Sequence, residues 1–157
     1  MYHPAESVTS TPYDTEDFEF IELTNVGSET VDLSSLSFTQ GISFSFVESA
    51  MHNLAAGQVI LVVKRREAFL SRYGNSLAPL VAGEYQGQLS NGGETLELSD
   101  FWQGPLLSFT YDDQWYPTTD GGGYSLIPSG LGPNVTDVLS SPDAWQPSSV
   151  IGGSPGE

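Results

Sequence analysis

The chain has no cysteine, which excludes disulfide scaffolds, cysteine-ligated zinc or iron–sulfur sites and thiol nucleophiles. Positive charge is almost as scarce: 4 Lys and Arg stand against 20 Asp and Glu, for a formal net charge of −16. A general nucleic-acid binder needs clustered Lys and Arg to displace counterions from phosphates. An anionic membrane surface asks for the same chemistry. Neither nucleic acid nor membrane is therefore expected as a partner. The only histidines are His3 and His52, with no His-x-x-x-His pair, which argues against zinc hydrolysis. No apolar run approaches the roughly 20 residues of a membrane span. Met1-Tyr2-His3-Pro4 lacks the basic start and apolar stretch of a signal peptide.

What remains is a chain of 157 residues, 38% apolar and 11% aromatic. That is enough for one domain, residues 1–157, with a proper core. The acidic surface predicts a soluble monomer that repels its own copies and tolerates cations as partners.

The apolar residues follow a period of two. Phe18 to Leu23 is short, aromatic and β-branched. Val31 and Leu33 alternate with polar residues, as do Ile42, Phe44 and Phe46, then Leu96 and Leu98, then Leu107, Phe109 and Tyr111. Val59 to Val63 is a continuous apolar run and predicts a central strand covered on both faces. Tyr124 to Ile127 is the last candidate. Turn residues separate these segments: Ala56-Gly57, Asn91-Gly92-Gly93, Asp100, Gly104-Pro105 and Gly121-Gly122-Gly123. About seven or eight short strands predict an all-β protein, an antiparallel sandwich or barrel. One helix is expected near residues 66–73, with Gly74 at its C-terminal end. All four basic residues, Lys64, Arg65, Arg66 and Arg72, lie in or beside it. Residues 5–17 read as a polar loop. The tail, 140–157, is rich in Ser, Pro and Gly and has Trp145 as its one large anchor.

Chemistry-bearing patterns are few. Gly152-Gly153-Ser154-Pro155-Gly156 matches the nucleophile-elbow pattern, but no histidine follows and the context of strand, turn and helix is lacking, so it reads as a turn. Glu19 and Glu22 are three apart on a strand and point to opposite faces, as do Glu94 and Glu97, so neither pair suits glycoside hydrolysis. Glu22 shares a row with Phe18 and Phe20, and a carboxylate there lies at a sheet edge or is held by hydrogen bonds; backbone N–H bonds from a loop are expected ahead of the alternative, a functional acid. Asp112, Asp113 and Asp120 bracket a Gly-rich loop and are the candidate calcium ligands, calcium being the one cofactor the chain suggests. Trp102, Tyr111, Trp115 and Tyr116 are the candidate binding residues if they form an exposed row, the alternative being that they close the core at one end. Asn134-Val135-Thr136 matches an N-glycosylation acceptor. No catalytic constellation is legible.

The order of several segments resembles the lamin tail domain in its bacterial extracellular form. The segments are Met1-Tyr2-His3-Pro4, Glu19 to Asn25, Val31-Asp32-Leu33-Ser34, Gly41 to Phe46 and Leu54 to Val63. They continue with Ala68-Phe69, Arg72-Tyr73-Gly74, Leu89 to Glu94, Asp120 to Leu126, Trp145 and the closing Gly152 to Gly156. The resemblance spans nearly the whole chain. It implies an immunoglobulin-like antiparallel β-sandwich with one short helix and no enzymatic activity of its own. In that family a strand usually precedes the Met-Tyr-His-Pro stretch, which implies a domain excised from a longer protein. Bacterial relatives sit in large secreted or surface proteins, beside spore-coat-protein-H-like kinase, nuclease or phosphatase domains. Animal lamin tails bind nuclear partners and chromatin, but the charge here departs from theirs and DNA binding is not carried over. The expected function is a non-catalytic interaction or spacer module of a larger secreted or surface-associated bacterial protein, contacting a protein or neighbouring domain. The alternatives are a calcium-stabilised adhesion or glycan- or peptide-binding domain, and an accessory domain of an enzyme.

Overall fold

The computed structural model describes residues 1–7, 10–130 and 138–157. Its centre is β6 (Val59–Val63), the continuous apolar run. Alternate side chains of a strand point to opposite faces. Ile60 and Val62 enter one core, Leu61 and Val63 another, and all four are essentially inaccessible to water. Full burial of each such side chain is worth about 1.5–3 kcal/mol, so this strand contributes to both cores at once.

Beside it lie β1 (Phe20–Thr24), antiparallel, and β7 (Val81–Glu84), parallel. Together they form a three-stranded sheet. Its outer face carries Phe20, Leu61, Val63 and Val81, covered by Phe69, Leu70 and Tyr73 of α1 (Arg66–Tyr73) and by Leu77 and Leu80 of the turn that follows. Gly74 ends α1 with φ +99°, and its N–H donates to the Leu70 carbonyl. The helix is therefore where the sequence predicts it.

The inner face packs on a five-stranded sheet in the order β10-β9-β3-β4-β8. Its members are β3 (Leu36–Gln40), β4 (Ile42–Ser45), β8 (Gln86–Gly87), β9 (Glu94–Asp100) and β10 (Gly104–Tyr111). Leu36, Phe38, Ile42, Leu96 and Leu98 face inward onto Ile60 and Val62. Their outward neighbours are hydroxyls, the Gln40 amide and the Glu97 carboxylate joined across strands: Ser37 to Ser45, Thr39 to Ser99 and Glu97, Gln40 to Glu97, Thr95 to Thr110. One face is apolar and buried, the other polar and wet, as the alternation predicts. Two short pairs complete the fold: β2 (Val31–Asp32) with β5 (Asn53–Leu54), and β11 (Leu126–Pro128) with β12 (Trp145–Pro147). The protein is an all-β sandwich with a single α-helix among the described residues.

Several boundaries differ from the sequence reading. Phe18 ends a 3-10 turn, Thr15–Phe18, rather than starting a strand, so the expected loop is ordered at its end. Arg72 pins the same loop: its guanidinium donates to Ser7 Oγ (2.7 Å) and lies 3.4 Å from the centre of the Phe18 ring. Strands β3, β7 and β8 were not expected, nor the strands at Asn53–Leu54 and Trp145–Pro147; β4 stops at Ser45, one residue before Phe46, and the expected strand over 124–127 runs Leu126–Pro128. Strand β7 contains Gly83, where an added Cβ would fall 2.6 Å from Phe44 Cε2. The glycine weakens the strand signal because the packing requires it.

The tail is docked as expected of Trp145, which is 8% exposed. Its ring meets Phe109 at 5.1 Å and its Nε1–H donates to the Leu139 carbonyl at 2.6 Å. Among the described residues no helix is long and apolar enough to cross a membrane.

Candidate functional site

Strands β9 and β10 form a hairpin whose register pairs Asp100 with Gly104, leaving Phe101, Trp102 and Gln103 as a three-residue loop. The chain rejoins β10 at Gly104, whose φ of +83° is a conformation that favours glycine. Asp100 fastens the loop from within. Its Oδ1 accepts from the Trp102 N–H (2.7 Å) and the Gln103 N–H (2.9 Å), and its Oδ2 accepts from the Ser35 hydroxyl. These donors hold the carboxyl below the usual aspartate range, the Ser35 bond most strongly. The Phe101 N–H donates to the Ser35 carbonyl at 2.9 Å, so β3 holds the tip as well.

The side chains at this tip are out of place for a soluble surface. Trp102 is 81% exposed and Phe101 78%. Their rings meet edge to face, centroids 4.8 Å apart, a favourable aromatic geometry. Leu106, on the same hairpin, is also exposed.

Of the four aromatics expected in an exposed row, only Trp102 is exposed, so the row does not form. Tyr111 is 3% exposed, packs at a tilt against Tyr2 with ring centres 4.9 Å apart and donates to the Ser90 carbonyl at 2.8 Å. Trp115 packs against the main core. Tyr116 shares its hydroxyl proton between the carbonyls of Trp145 (2.8 Å) and Pro142 (3.0 Å). Tyr111 and Trp115 pack into the main core, and Tyr116 is half-buried and held by backbone carbonyls. Phe101, which joins Trp102 at the tip, was not singled out by the sequence. The signal was there: two adjacent large aromatics between Asp100 and Gly104, both turn residues.

Two of the three candidate calcium ligands, Asp112 and Asp120, are engaged separately, and Asp113 is half-buried in the turn after β10. Asp112 Oδ1 accepts from the Gln114 N–H at 2.8 Å, ordinary turn chemistry. Asp120 Oδ1 pairs with His3 Nδ1 at 2.5 Å. Burial, and after it the charges of Asp120, Asp113 and Asp112, push the Tyr2 hydroxyl up, while its bond to Thr119 opposes them. Among the described residues no three His, Asp or Glu side chains are placed to hold a metal ion. Residues 152–156 close as turns, with Gly153 N–H on the Val150 carbonyl. Asn134-Val135-Thr136 lies outside the described residues.

Glu22 accepts the Gly156 N–H at 2.6 Å, the loop bond that its place in the Phe20 row predicts. Glu19, weighed in the sequence only as half of a carboxylate pair, is the buried acid that the sequence does not announce. It shares parity with Ile21 and Leu23, hence with the main core, and it is 0% exposed. Its Oε2 accepts from the Tyr85 hydroxyl (2.6 Å) and the Leu89 N–H (2.9 Å), while its buried Oε1 has no partner. Burial pushes its carboxyl up to about 7, against the pull of Tyr85, Leu89, Lys64 and the Met1 amine. It ties the stretch after β7 to the start of β1 and faces no cleft.

Compared with family models, with curated proteins and with solved structures, the chain has no match.

Proposed function

We propose that this chain is a non-catalytic interaction module, an immunoglobulin-like sandwich of the lamin-tail type, carried by a larger secreted or cell-surface bacterial protein. We place its contact surface at the Phe101–Trp102 tip. The observation that carries the reading is a tryptophan 81% exposed beside a phenylalanine 78% exposed, on a loop fixed by Asp100 and Ser35. Tryptophan dominates binding hot spots because it brings a large area at little entropic cost. A loop already held in one conformation has little ordering left to lose on contact. Trp102 would also suit the apolar face of a sugar ring, which keeps glycan binding as the second reading.

The test compares the wild-type chain with a Phe101→Ser/Trp102→Ser variant against basic, neutral and acidic peptides and soluble cello- and chito-oligosaccharides. Both substituted side chains are exposed, so the melting temperature should not change. At least one probe class should bind the wild type and lose tenfold or more in the variant. Indistinguishable behaviour of the two proteins towards every probe refutes the reading.

A further inference from the structure

We propose that the partner of the Phe101–Trp102 tip is a basic segment of another protein, presenting an arginine or lysine to the open face of the Trp102 ring. The inference rests on the tip being the contact surface and adds the chemistry of what it meets. Two observations select that chemistry. The first is the ring itself: indole is the strongest of the side-chain faces for a cation, and guanidinium stacks on it best.

The second is the field around it. The chain carries −16 and only four cationic side chains. Each of these is engaged away from the tip. Lys64 donates to the Gly87 carbonyl on β8, at the opposite edge of the sheet from β10. Arg65 pairs with Asp17, Arg66 donates to the Ala78 carbonyl, and Arg72 to Ala5 and Ser7. The carboxylates nearest the tip are Asp100, buried beneath the loop with three donors on its ionised form, and the exposed Asp32, which lies close to both Asp100 and His52. An acidic partner would be repelled here and a neutral one would gain nothing from the field. A basic one is steered in and then finds the ring.

The experiment uses the full chain and a peptide of alternating glycine and arginine, with citrulline in place of arginine as the neutral control. Titrations run at fixed salt near 0.15 M, where the Debye length is about 8 Å. The arginine peptide should bind tenfold or more tighter than the citrulline peptide. Trp102→Leu keeps an apolar side chain and the net charge but removes the ring. It should weaken the arginine peptide by about three- to fivefold, with Trp102→Phe in between. Unchanged affinity in Trp102→Leu overturns the inference, since binding would then be diffuse attraction to an acidic surface. Failure of the arginine peptide to bind overturns it too. Tighter binding of the citrulline peptide or of an oligosaccharide, lost in the double serine variant, overturns the basic partner and leaves the tip as the contact surface.

Discussion

Replacing Glu19 with glutamine probes how a buried, half-satisfied carboxyl shapes the stability of the sandwich. The side chain is fully buried, only one of its oxygens has donors, and its carboxyl is raised from an ordinary 4.5 to about 7. A folded-state value above the unfolded one means that the folded protein holds the proton more tightly. The stability gained is complete below about pH 4.5 and is lost as pH rises through about 7. Each tenfold change in the ionisation constant is worth ~1.4 kcal/mol, so ionising Glu19 costs the fold about 3 kcal/mol. Glu22, also raised by burial, adds to the same slope. Asp32 and Asp100, both lowered by hydrogen bonds, contribute stability that is lost only as pH falls below the ordinary aspartate range, outside this window. Glutamine keeps an oxygen for Tyr85 and Leu89 but cannot ionise. Urea unfolding of both proteins between about pH 4.5 and pH 8 reads the difference. Relative to wild type, Glu19→Gln should gain about 3 kcal/mol from the low to the high end of that range. Parallel pH profiles, or a gain towards low pH, would refute the reasoning.

Trp145→Ala removes a buried ring packed against Phe109 and should cost about 3–5 kcal/mol in urea unfolding, against no change if the tail is undocked. Monovalent salt should raise the melting temperature by screening the −16 charge. Against high salt, calcium, magnesium and EDTA should give equal midpoints, and a calcium-only rise that disappears in Asp112→Asn and Asp120→Asn would contradict the separate engagement of those carboxylates. Acrylamide should quench chiefly Trp102 among the three tryptophans. Trp102→Phe should remove most of the accessible emission, and unchanged quenching would show that the tip is covered in solution.

Strands β4, β9 and β10 were legible because Leu, Ile or Phe alternates there with Ser, Thr or Glu; β3 carries the same alternation in Leu36-Ser37-Phe38-Thr39 and was nonetheless passed over. Strand β6 was legible because a run apolar at every position must be covered on both sides. Strand β7 was not. Its Ala82-Gly83 centre carries little β signal, and Gly83 is demanded by Phe44 from a distant strand. Such a requirement has no local trace. The same limit applies to the aromatics. Tyr111 stands in the alternating row of β10 and Trp102 between two turn residues, but the contacts that bury the one and leave the other in water, that with Tyr2 among them, arise only in the fold. Glu22 could be anticipated from its row. Glu19 needed Tyr85 and Leu89, which meet it only through the fold.

The most direct measurement of the tip as contact surface is the set of tryptophan indole N–H signals in a nitrogen-15 spectrum, assigned with Trp102→Phe and followed during titration with the glycine–arginine peptide. Trp145 donates its indole N–H to Leu139 from a buried site, and Trp115 lies against the core. The Trp102 signal should move with the titration, together with the amides of Phe101 and Gln103, while those two stay fixed. Shifts centred on α1 or on the β11–β12 pair, with Trp102 unmoved, would contradict the account.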